Sequence, residues 1–160
     1  MDDFELYDDL EEDGPSDPIS FFAEEIDFEP ANPALLRRWI EKVIAHEKAE
    51  LNFVNYIFCD DTYLLKLNQE YLQHDTLTDI ITFPYHDPPV IEGDVFISID
   101  RIHENAHQFG VTFEQELHRV IIHGVLHLCG YGDKDPADKV KMTQKEDEAL
   151  QLLKTVSWFV

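Results

Sequence analysis

The run His123-Gly124-Val125-Leu126-His127-Leu128-Cys129-Gly130-Tyr131-Gly132-Asp133 decides how this chain is read. His123 and His127 are one helical turn apart, so both rings project from one face and can clamp a single ion without bending the helix. From Val120 to Leu128 the helix is apolar almost all round, which implies burial. Two buried imidazoles are costly unless they find partners, and a metal is one such partner. A backbone carbonyl or a carboxylate is another. Gly130 can end the helix in a left-handed conformation, and Gly132 adds a second permissive position, so the chain can turn back and bring Asp133 to the same ion. Three protein ligands leave a fourth place for water, as catalytic zinc sites do.

The spacing matches the metzincin pattern H-E-x-x-H-x-x-G-x-x-H, with Gly124 in place of the Glu and Asp133 in place of the last His. That Glu is the general base of zinc proteolysis, so ordinary proteolysis at this site is disfavoured. A bound ion would still activate water and polarise an ester oxygen. A second pair, His103-Glu104-Asn105-Ala106-His107, matches H-E-x-x-H letter for letter. It lies beside Glu104, Asn105 and Gln108, off a core stripe of Ile99, Ile102, Ala106 and Phe109. That is the wet shoulder of an amphipathic helix, and no following turn returns a third ligand. The match keeps a peptidase as the rival reading. His46, His74, His86 and His118 have no ligand spacing.

Outward from this segment, the pattern reads as nine elements. Ile19–Ile26, 51–59, 78–85 and 93–99 are strand-like, and the last two are separated by the Pro88-Pro89 turn. Pro33 opens a helix with Asn32 as cap, and Asp60-Asp61 opens a second. Segments 100–109, 113–129 and 137–154 are helical. The order β-α-β-α-β-β-α-α-α predicts a single α/β (α+β) domain. It would have one mixed, mainly four-stranded sheet covered by helices, an antiparallel hairpin and a zincin-like metal helix.

The 160 residues suit one domain with a real core. No apolar run approaches the roughly 20 residues of a membrane span. The acidic start is not a secretory signal, which makes the cytoplasm the expected location. Cys59 and Cys129 form no C-x-x-C pair and read as reduced, buried thiols. The net charge of -22 sits badly with nucleic-acid binding, which usually wants a basic surface. It is concentrated at the start, where residues 1–17 read as an acidic, mobile extension before a metal-dependent hydrolase domain at 18–160. The extension serves as a solubilising tail or, on a sharper reading, as an RNA mimic that blocks the site.

The decisive stretch resembles the YbeY family, whose hallmark is H-G-x-L-H-L-x-G-Y-D-H. Here Gly132 and Asp133 stand in place of its last Asp and His. Leu67-Asn68-Gln69-Glu70-Tyr71-Leu72-Gln73-His74-Asp75-Thr76-Leu77-Thr78-Asp79-Ile80-Ile81-Thr82-Phe83 is similar to the family block L-N-x-x-Y-R-x-K-D-x-P-T-D-V-L-S-F. Gly93-Asp94-Val95-Phe96-Ile97-Ser98 is similar to its G-D-I-x-I-S strand. The resemblance implies a single-strand-specific endoribonuclease in ribosomal RNA processing, notably at the 16S 3′ end, and in ribosome quality control. It implies ribosomal or small-subunit protein partners and no DNA or membrane. It also implies one divalent ion, zinc first, on His123, His127 and Asp133. An oxygen ligand in place of nitrogen bears on metal preference. The family's arginine after the Tyr is Leu72. Arg119, one turn before His123, is the proposed substitute as a phosphate contact, or else an ion-pair partner of Glu116 or another nearby acid. Asp79 and His74 are general-base candidates by their place in the block, and Thr78, Asp79 and Thr82 can equally be structural. The remaining alternatives are another metal-dependent hydrolase and a non-catalytic ribosome-associated metalloprotein.

Overall fold

A computed structural model describes residues 17–74 and 76–156. The elements are β1 (Ile19–Ala23), α1 (Pro33–His46), β2 (Glu50–Cys59), α2 (Asp61–Tyr71), β3 (Ile80–Pro84), β4 (Val90–Ser98), α3 (Ile99–Phe109), α4 (Phe113–Leu128) and α5 (Pro136–Val156). This is the predicted order. The sheet runs β1-β2-β4-β3, with parallel β1-β2 and β2-β4 pairs and an antiparallel β3-β4 hairpin. The mixed α/β architecture expected from the sequence is therefore present, and β3 lies at one edge of it.

The sheet is covered unequally on its two faces. Strand alternation sends Val54, Tyr56 and Phe58 of β2, with Ile91, Val95 and Ile97 of β4, into the main core with α1, α4 and α5. The opposite pleat sends Phe96 and Ile81 toward Leu64 and Leu67 of α2, a smaller satellite cluster. Two buried polar tips fix the helices on the main face. The Tyr56 hydroxyl donates to the Ile121 carbonyl at 2.9 Å, and Trp39 Nε1 donates to the Ala149 carbonyl at 2.7 Å. Both cysteines are free; Cys59 is fully buried but Cys129, expected to be buried, is only half-buried, and burial pushes each thiol up to about 12.

Local structure departs from the sequence reading at several places. β3 is shorter than the expected 78–85, at Ile80–Pro84, and β4 starts at Val90 rather than at 93. β1 stops at Ala23 rather than Ile26, because Glu25 takes a left-handed φ of 61° that cannot continue a strand. Asn32 occupies the cap position of α1 but is itself left-handed and makes no side-chain cap bond. Phe109, read as part of the α3 core stripe, is 62% exposed, since α3 ends there at left-handed Gly110. Gly132 is not among the positive-φ residues; Gly130 alone makes the left-handed turn after α4.

α4 is the central element. Thr112 and Gln115 close a reciprocal capping box at its start. Its seat on the sheet requires Gly124. A Cβ there would lie 2.9 Å from Val95 Cγ1 and 3.1 Å from Ile80 Cδ1. Val95 is fully buried on an interior strand and β-branched, so it cannot turn aside. The position occupied by glutamate in zinc proteases is thus closed by packing. Gly124→Ala gains about 1 kcal/mol of helix propensity but overpacks the core at a cost of about 1–3 kcal/mol. We expect net destabilisation, measured as a lower urea midpoint at unchanged slope.

Candidate metal centre

The turn that closes α4 is set by backbone chemistry. The Gly130 N–H donates to the His127 carbonyl at 2.9 Å, and the Tyr131 N–H reaches the Leu126 carbonyl at 3.1 Å. This is a Schellman ending with glycine in its left-handed position. The chain reverses there and runs past Asp133 into α5, where Asp135 accepts from the Asp138 N–H at 2.8 Å.

His123, His127 and Asp133 are brought together by that reversal. Asp133 Oδ2 lies 3.3 Å from His123 Nε2 and 3.4 Å from His127 Nε2. Among the described residues they are the group whose ligand atoms could hold a metal ion. The donor set fits zinc: four-coordinate bonds of about 2.0–2.2 Å place ligand atoms roughly 3.3–3.5 Å apart. Each imidazole is also oriented from behind. His123 Nδ1 is 2.6 Å from Glu146 Oε2, and His127 Nδ1 is 2.9 Å from the Tyr131 carbonyl. With Nδ1–H donating in both rings, the Nε2 lone pairs are the ones left to face Asp133.

These orienting groups are themselves held. Glu146, almost fully buried on α5, accepts from Arg119 Nη1 at 2.8 Å, while Arg119 Nη2 pairs with Asp147 at 2.9 Å. The Tyr131 hydroxyl donates to Glu47 at 2.6 Å, and Glu47 also pairs with Lys145 at 3.2 Å. Burial opposes protonation of His123, but Glu146, Asp133 and Asp79 outweigh it and raise its pKa. The negative charge that favours a proton on this ring also favours a cation beside it.

The three residues open onto a cleft of about 780 Å³ between α4, the edge strand β3 and the α2–β3 loop. Leu72, His74, Thr78 and Asp79 of the second sequence block line it. Asn68, buried at the end of α2, shapes that loop: its Nδ2 donates to the Thr76 carbonyl, and its own carbonyl accepts from the His74 N–H. Burial holds the Asp79 carboxyl above the usual carboxylate range, against the pull of His123, and its backbone carbonyl accepts from the Ser98 N–H. Arg119 lines the cleft too, but with both terminal nitrogens engaged by acids of α5. His103 and His107 are exposed on α3; His103 packs on Phe113 at 4.3 Å, and neither joins a ligand group. The acidic segment 1–16 lies outside the described residues.

The family model for "Endoribonuclease YbeY" matches residues 18–154. The chain belongs to the YbeY endoribonuclease family. It is 54% identical to the Flavobacterium psychrophilum Endoribonuclease YbeY over 131 residues, 82% of this chain and 94% of that protein. It is 47% identical to the one from Amoebophilus asiaticus over 133 residues, 82% and 90% of the two chains. The solution structure of TM1509 from Thermotoga maritima superposes with a TM-score of 0.61 at 28% identity, covering 84% of this chain and 88% of that one. The family likeness thus spans residues 18–154, including the metal-capable cluster, and makes this chain an endoribonuclease.

Sequence reading missed Glu146. Its signal was an acid at the centre of a helical apolar stripe, Met142, Glu146 and Ala149, all buried. Removing it with Glu146→Ala should weaken zinc affinity about 10–100-fold, measured by competition with a chromogenic chelator. Arg119→Ala should cost less, because it reaches His123 only through Glu146.

A second expectation concerns Glu116, buried in the cleft wall. Burial, with Asp79 and Glu146 nearby, raises its pKa from 4.5, and Arg119 opposes the rise. The folded state therefore holds this proton more tightly than the unfolded chain. Its contribution is fully present below about 4.5 and declines as pH rises through the raised folded value. Glu116→Gln should raise the melting temperature of the metal-free protein near neutral pH. That gain should vanish toward pH 4.

Proposed function

We propose that this chain is a zinc-dependent, single-strand-specific endoribonuclease of ribosomal RNA. It would act in 16S 3′-end maturation and ribosome quality control, in the cytoplasm, beside small-subunit proteins. One observation carries the chemical part: two Nε2 atoms and a carboxylate oxygen converge at the floor of an open cleft, each imidazole fixed from behind. His123, His127 and Asp133 would hold the ion. When bound, it supplies a water of lowered pKa and neutralises charge on the phosphate. Glu146 and the Tyr131 carbonyl hold the rings in one tautomer, and Arg119 holds Glu146. Asp79, with its raised pKa and its place in the cleft, is the protein group suited to carry a proton to or from the reacting phosphodiester. The ribosomal assignment rests on the family resemblance. Among the described residues no helix is long and apolar enough to cross a membrane. The segment 1–17 is proposed to be an acidic extension preceding the hydrolase domain.

His123→Ala and His127→Ala should each lose the metal, by elemental analysis, and abolish cleavage of single-stranded RNA. His103→Ala and His107→Ala should retain both. Casein digestion by the wild type, without RNA cleavage, would turn the assignment toward a peptidase.

A further inference from the structure

An acidic cleft must still hold a polyanion. Asp79, Glu116, Asp133 and Glu146 all line it, so its own carboxylates oppose an RNA strand. Of its two long-chain cations, Arg119 is committed to Glu146 and Asp147. Lys134 is exposed at the mouth, next to Asp133 in the chain, and among the described residues no carboxylate is paired with it.

β3, which also lines the cleft, offers donors that carry no charge. β3 is the terminal strand of the sheet. The Tyr85 N–H donates to the Glu92 carbonyl at 2.8 Å, and the Ser98 N–H to the Asp79 carbonyl at 3.0 Å. These two bonds fix the alternation of the antiparallel pair. Asp79, Ile81, Phe83 and Tyr85 direct their backbone groups at β4, so Ile80, Thr82 and Pro84 direct theirs to the open side. Proline has no N–H, and the Ile80 carbonyl takes a bond from Thr78 Oγ1 at 3.4 Å. The N–H groups of Ile80 and Thr82 therefore point outward from a strand whose residues line the cleft.

We propose that the RNA strand is gripped by Lys134 and by the outward N–H groups of Ile80 and Thr82. This rests on the endoribonuclease reading and adds how the backbone of the substrate is held. The lysine supplies the charged phosphate contact. The strand edge supplies hydrogen bonds to sugar–phosphate oxygens, which a protein of this net charge can offer without a cluster of arginines. An open edge can equally template a peptide, but family membership favours RNA.

The two contacts have different signatures. Lys134→Met removes a charge, and Thr82→Pro removes an N–H at an edge position where proline is tolerated. Initial rates of the metal-loaded protein on a labelled single-stranded RNA give KM across a salt series, with melting temperature and zinc content measured on the same samples. Lys134→Met should raise KM roughly tenfold and lower the slope of log KM against log salt by about 0.7. Thr82→Pro should raise KM several-fold with the slope unchanged. Either variant keeping the wild-type KM, with fold and zinc intact, overturns the grip. So does a Thr82→Pro protein that loses binding of an oligopeptide but not of RNA. If the proline lowers the melting temperature, Lys134→Met decides the matter alone. A wild type that does not cut RNA sinks the endoribonuclease reading itself, which is a separate result from a cutting enzyme whose variants are silent.

Discussion

Two imidazoles on a helix packed into the core have four ring nitrogens to satisfy, and the rest of the site follows from how they are satisfied. Glu146 and the Tyr131 carbonyl take the Nδ1 positions. The Nε2 atoms are thereby turned toward Asp133, and three donors meet at one point. A buried carboxylate such as Glu146 is costly alone; Arg119 and His123 together offset that cost, which ties the outer support of the site to the stability of the α4–α5 packing. The support is assembled from α1, α4, α5 and the α4–α5 loop, so it exists only when the domain is folded.

The same packing bears on which chemistry is possible. Gly124 is needed because α4 crosses β4 closely at Val95, and this removes the position from which a zinc protease places its glutamate base. What remains near His123 is Asp79, delivered by the segment before β3 and tied to α3 through Asn105 at 3.4 Å. The edge position of β3 opens the cleft on one side. The three blocks of sequence that resemble the family thus meet in space: one gives the helix and turn, one the cleft wall, one the strand on which the helix rests.

Much of this was legible in the sequence. The i, i+4 histidines followed by two glycines and an aspartate gave the ligand geometry, because helix periodicity and a left-handed glycine leave the chain little freedom there. Element order and the hairpin were legible from apolar periodicity and the Pro88-Pro89 turn. The misses have local causes. Glu25 and Asn32 adopt left-handed conformations that no pattern rule assigns to them. Phe109 sat at the right spacing for the core but is the last residue of α3, before left-handed Gly110, and stays exposed. Arg119 was read as a phosphate contact or as the ion-pair partner of a nearby acid; it pairs with Glu146 and Asp147 of α5, acids that only tertiary structure brings near. Glu146 was concealed for the same reason, being 23 residues from the histidine it orients.

We propose that one cation is held by two histidine nitrogens and one aspartate oxygen. Zinc-edge X-ray absorption on the protein purified without chelator reads that shell. The expected spectrum shows one zinc per chain, a first shell of nitrogen and oxygen at about 2.0–2.1 Å, and outer-shell scattering from two imidazoles. A shell containing sulfur, or one with a single imidazole, would contradict it.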